Sequence, residues 1–175
     1  KKGTLKGSIV IGIFNKKKSK QKDFRVFSRL AQVAFPVVRM MGYEVEYRSF
    51  GDRRIGLWKK KINPSLSKRT LLLSPGLGDT PMNWLPTLFY GRDQLKKEFS
   101  DIVMLELPGF PGLLADEPAI ESMDHLFDAF ESVVHSIRPS VMFGHSLGGW
   151  LSIEYAIRLS RSTSSNKRVL DRIIV

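Results

Sequence analysis

The sequence contains no cysteine in 175 residues, which excludes disulfides, thiolate metal sites and a cysteine nucleophile. Histidine is scarce as well. The three, His125, His135 and His145, lack the spacing of a metal-ligand set, so no metal and no other cofactor is expected. No stretch reaches the eighteen or so consecutive apolar residues of a membrane-spanning helix. The apolar run from Ser8 to Phe14 is short, and Lys16-Lys17-Lys18 stands where a secretory signal would place small residues, so it reads as a short strand or an edge segment. The phosphate-loop pattern G-x-x-x-x-G-K-[ST] is missing, which removes that nucleotide chemistry. There are no internal repeats.

What is present is enough apolar material for one folded domain: 42% of the residues are hydrophobic. The charge is lopsided. Residues 1–70 carry 19 Lys and Arg against 4 Asp and Glu, whereas residues 71–175 carry 9 against 13. The formal net charge of +11 therefore belongs to the N-terminal part. Such an arm suits an anionic partner, membrane phosphate or nucleic acid, or is simply a solvated tail. Its lysines lack the interleaved aromatics used for base stacking, which argues against nucleic acid.

Residues 1–23 read as a basic flexible arm. From 24 to 42 the polar positions 25, 28, 29, 32, 36 and 39 form one narrow stripe at helical spacing, with Arg25, Arg29 and Arg39 along it and Pro36 expected to kink it. This amphipathic helix can lie on a membrane surface or pack on the rest of the chain. The period then changes. Glu44–Phe50 and Arg53–Lys59, split by Gly51-Asp52, read as an antiparallel hairpin. Thr70–Ser74, Asp101–Leu107, Ser140–Phe143 and Ile173–Val175 are short apolar strands, and helical patterns at 81–99, 119–137 and 150–159 alternate with them. Thr80-Pro81 supplies a cap followed by proline at the first helical position. The alternation implies an α/β fold with a doubly wound, mostly parallel sheet and an N-terminal antiparallel hairpin.

The chemistry sits at Gly144-His145-Ser146-Leu147-Gly148, which fits G-x-S-x-G between an apolar strand and a helix. In that context the pattern marks a sharp strand-to-helix turn. Gly144 and Gly148 leave room for the crossing backbone, Ser146 projects its hydroxyl at the sheet edge, and the helix N-terminus favours negative charge.

With Leu71-Leu72-Leu73 leading into Pro75-Gly76-Leu77-Gly78, with Asn83-Trp84, and with Leu107-Pro108-Gly109-Phe110 in the same order, the chain resembles the α/β-hydrolase family over about residues 44–175. The likeness is to its serine esterase and lipase branch, which includes monoacylglycerol-lipase-like enzymes. The resemblance implies an α/β-hydrolase fold at 43–175. It also implies a nucleophile at Ser146, an oxyanion hole built from the backbone amides of Leu77 and Leu147, and a small-molecule or lipid acyl substrate. Three departures stand out. Pro75-Gly76 replaces His-Gly, removing a hydrogen bond that steadies the loop; Glu106 replaces Asp; and Pro111-Gly112 replaces a Gly-x-Ser turn.

In this family an acid and then a histidine follow the serine, yet all three histidines precede Ser146 or adjoin it. His125 and His135 fall on the polar side of their helix, and the side chain of His145 is expected to point away from the reacting centre. Glu154 and Asp171 are the acids after Ser146, and neither matches the position of the family's acid. The chain is therefore expected to be the N-terminal part of a longer hydrolase, inactive or weakly active by itself, and cytoplasmic or attached peripherally to membrane through residues 1–42. The other reading is a noncatalytic binding module of the same fold with a membrane- or anion-binding arm.

Overall fold

A computed structural model describes residue 33 and residues 35–110, 112–114, 120, 122–161 and 170–175. The basic arm at 1–23, most of the expected helix at 24–42 and most of the polar loop at 160–168 lie outside the described residues. Residues 35–40 are helical (α1), and their end is closed by Gly42 N–H to the Arg39 carbonyl at 2.9 Å and Tyr43 N–H to the Val38 carbonyl at 3.3 Å. This pair is the Schellman closure, and its usual apolar contact is supplied by Val38 and Tyr43, both buried in one cluster.

The expected hairpin forms as β1 (Glu44–Phe50) and β2 (Arg53–Lys61), antiparallel with Glu44 opposite Lys59. Then come β3 (Thr70–Ser74), β4 (Asp101–Glu106), β5 (Val141–Gly144) and β6 (Arg172–Ile174), in spatial order β1-β2-β4-β3-β5-β6. β4, β3, β5 and β6 run parallel, and β2 joins β4 antiparallel. All five residues of β3 are buried, as an inner parallel strand covered on both faces requires.

Successive β3 side chains feed two cores. Leu72 packs with Phe127, Phe130, Val133, Leu151 and Tyr155, beneath α4 (Met123–Ile137) and α5 (Leu147–Arg161). Leu71 and Leu73 pack on the opposite face with Trp58, Met104, Trp84, Leu88 and Val38. Burying each large apolar side chain contributes roughly 1.5–3 kcal/mol, so the two layers together hold the sheet and fix where its strands end.

The helix expected over 81–99 is broken. A 3-10 turn, Pro81–Trp84, precedes α2 (Leu85–Tyr90), and α3 (Arg92–Glu98) follows after Gly91. Pro86 has no N–H to donate, and Gly91 is a poor helix interior residue. The Thr80 cap forms as expected, its side chain accepting the Met82 N–H. At the end of α4, Arg138 is left-handed (φ 55°) before Pro139. Among the described residues no helix is long and apolar enough to cross a membrane.

Candidate active site

β3 and β5 lie side by side, with Ser74 opposite Gly144, so the loops leaving their C-terminal ends emerge together. The ladder runs one step further: His145 N–H donates to the Ser74 carbonyl at 3.1 Å. The chain then reverses into α5. Ser146 takes up φ 51°, a left-handed conformation that costs a non-glycine residue about 1–3 kcal/mol and persists only where its surroundings enforce it. The enforcement is visible on either side. A Cβ on Gly144 would fall 2.3 Å from the Gly148 carbonyl group, and one on Gly148 would fall 2.3 Å from the Ser74 oxygen. The first turn of α5 thus rests directly on the ends of β3 and β5.

The side chain of Ser146 is exposed at the N-terminus of a 15-residue helix, where partial positive charge collects. Leu147 opens that helix, and Leu77 lies in the loop after β3. Among the described residues neither backbone N–H of these two has an acceptor. Ser146, Leu147, Leu77, Gly144 and Gly148 are therefore gathered at one sheet edge. Trp84, near the start of the following helical segment, packs on Phe143 of β5 with ring centroids 5.1 Å apart.

Two carboxylates take part in ways the sequence did not disclose. Asp79 closes the loop after β3: its Oδ2 accepts the Gly76 N–H at 3.0 Å and the His145 Nδ1–H at 2.9 Å, and its Oδ1 accepts from Asn83 Nδ2 at 2.8 Å. Because a carboxylate offers only acceptors, the shared proton is placed on Nδ1 of His145. The one available signal was an aspartate just after Gly76-Leu77-Gly78. Glu106, at the end of β4, is almost wholly buried and accepts Trp58 Nε1–H at 2.7 Å and Leu114 N–H at 3.0 Å. Burial pushes its carboxyl above the ordinary value, while those donors and the Leu113 amide pull the other way. Its side chain thus reaches both β2 and the loop beyond Leu107.

His125 and His135 are exposed on α4, and the His135 ring meets Tyr155 edge-on at 6.0 Å. Glu154 pairs with Arg158 and Asp171 with Arg69. None of these four joins the elbow. A cavity of about 440 Å³ lies between α2, α3 and the end of β2, and none of its lining residues belongs to the elbow or to the 75–79 loop.

A family model described as the alpha/beta hydrolase family matches residues 71–174, more than half of the chain. No curated protein matches the sequence. Among solved structures the chain is similar to a membrane phospholipase A described as a novel bacterial virulence factor (24% identity, TM-score 0.58, covering 85% of this chain and 44% of that one). It is also similar to the carboxylesterase CesB of Bacillus subtilis (16%, 0.56, 88% and 48%). A third is a soluble variant of monoglyceride lipase from Saccharomyces cerevisiae (19%, 0.50, 65% and 37%). At these identities the likeness is one of fold, and the chain spans less than half the length of each of the three.

Proposed function

The chain belongs to the alpha/beta hydrolase family, and from that premise we propose that Ser146 is the nucleophile of a serine hydrolase that acts on carboxylic or lipid esters. The observation that carries this reading is the elbow itself: an exposed serine at φ 51°, locked between Gly144 and Gly148, at the head of α5. Ser146 Oγ adds to the acyl carbonyl as its proton passes to a base. The resulting oxyanion is held by the amides of Leu77 and Leu147, the alcohol leaves, and water later releases the acyl group from the serine. Each oxyanion donor is worth roughly 3 kcal/mol in the transition state. Ester substrates are named because of the family and because neighbours of like fold bear the names of a carboxylesterase and a monoglyceride lipase.

A serine hydroxyl needs a base, and no histidine follows Ser146 within these 175 residues. The three that are present are engaged or remote, so these residues alone are proposed to turn over little substrate. In the protein expressed from its complete reading frame, a fluorophosphonate probe is expected to modify Ser146 and to leave Ser146→Ala untouched, as read by mass spectrometry of the modified peptide. Equal modification of both proteins overturns the proposal and leaves the noncatalytic binding module as the reading of the fold.

We also propose that residues 1–42 make peripheral contact with an anionic membrane. The observation behind it is that Val33, Val37 and Met40, one face at helical spacing, are exposed next to a segment rich in lysine and arginine. The test belongs with the charge of the whole molecule and is argued below.

A further inference from the structure

We propose that Asp79 and His145 are positioning residues that clamp the loop carrying Leu77 onto the nucleophile elbow and so hold its amide in place. The inference rests on the reading of Leu77 and Leu147 as oxyanion donors and adds what fixes one relative to the other. Leu147 is set by the helix it begins. Leu77 has no such frame: the residue is 60% exposed, and its loop is not part of any helix or strand.

What ties the loop down is a short chain of contacts. Within it, the Asp79 N–H donates to the Gly76 carbonyl at 3.2 Å while the Asp79 carboxylate takes the Gly76 N–H, so residues 76–79 close on themselves. Asn83 braces the other carboxylate oxygen. The remaining contact crosses between loops, from the Asp79 carboxylate to His145 Nδ1, 66 residues apart in sequence, and His145 is the residue just before Ser146. The approach is close enough that a Cβ on Gly76 would sit 2.7 Å from Asp79 Oδ2 and 2.8 Å from His145 Nδ1. A side chain at 76 would therefore enter the contact itself. The variable position of the elbow thus has a task other than catalysis: it anchors the second amide.

The test separates the clamp from the chemistry. His145→Ala removes the cross-loop bond but leaves the Gly76 acceptor in place. His145→Asn keeps a donor at the position of Nδ1 but has no proton to exchange near neutrality. Asp79→Ala removes all three carboxylate contacts and leaves only the backbone bond to Gly76, and Asp79→Asn keeps an acceptor in case the alanine variant folds poorly. In the protein expressed from its complete reading frame, amide hydrogen exchange over residues 76–79 is expected to rise at least about tenfold in both alanine variants. Modification of Ser146 by a fluorophosphonate is expected to slow about 100-fold, through its maximal rate and not its half-saturating probe concentration. His145→Asn and Asp79→Asn should stay within about threefold of the parent in both measurements. Unchanged exchange in His145→Ala overturns the proposal. So does a His145→Asn protein with intact exchange but alanine-like slowing, which would make His145 a proton acceptor. If Ser146 is never modified in the parent, the hydrolase reading fails, while the exchange measurement still decides whether the clamp exists.

Discussion

A buried carboxyl with three donors around it is the residue whose behaviour is most directly forecast by this structure. Glu106 is held in the protonated direction by burial against the opposing pull of Trp58 and the amides of Leu114 and Leu113. A carboxyl whose pKa is raised on folding binds its proton more tightly in the folded chain than in the unfolded one. Stability from this group is therefore greatest below its ordinary value of 4.5 and falls as pH rises from there through its raised value. Glu106→Gln cannot ionise, so the change in unfolding free energy between pH 5 and pH 7.5, measured in urea, is expected to be smaller in the variant than in the parent. An identical pH dependence would show that Glu106 ionises as easily when folded. The sequence revealed that Glu106 was unusual, as one of three departures from an ordered set of motifs. It could not reveal Asp79. A hydrogen bond between residues 79 and 145 depends on β3 and β5 being neighbours, and nothing in the local pattern of either segment states that.

At the scale of elements, the strands were the legible part, since four short apolar runs and one alternating hairpin are signals of extended chain whose bounds the sheet honours within a residue or two. The helix over 81–99 was less so. Its apolar positions are continuous, but Pro86 has no N–H to donate and Gly91 departs to φ −84°, ψ −1°, so local backbone chemistry outweighed the periodicity. The elbow was legible because steric necessity writes itself as glycine. That gives a prediction with an internal control. Gly148→Ala would place a Cβ 2.3 Å from a backbone oxygen of β3, which cannot move aside without lifting α5. It is expected to lower stability by about 3 kcal/mol, the upper end of overpacking costs, and to abolish modification of Ser146. Gly149→Ala meets its nearest neighbours at 3.2–3.3 Å and should cost about 1 kcal/mol or less. Chemical denaturation midpoints for the two variants, compared with the parent, decide whether the close packing of α5 on β3 is as tight as described.

For the whole molecule the decisive feature is how charge and apolar surface are divided. The surplus of 15 positive charges in residues 1–70 adjoins a helix face on which Val33, Val37 and Met40 are 76%, 57% and 87% exposed, while residues 71–175 carry a small negative excess. This is the division that a peripheral membrane contact requires: lysines and arginines near an anionic surface contribute about 1 kcal/mol each, and an apolar face inserts beneath the headgroups. The two contributions respond differently to salt, because screening shortens the reach of the charges to about 3 Å at 1 M but leaves apolar burial intact. The protein is therefore expected to float with phosphatidylserine-containing vesicles at low ionic strength, less so with phosphatidylcholine alone, and to retain part of that binding at 1 M salt. Deleting residues 1–23, which hold 8 of the 19 Lys and Arg of residues 1–70, should weaken the dependence on anionic lipid. Val37→Glu with Met40→Glu should remove the salt-resistant part, since a carboxylate at that depth is costly to bury. Flotation that is equal with and without residues 1–42 would place the basic segment in solvent, and the substrate of Ser146 would then have to reach the elbow without help from a membrane surface.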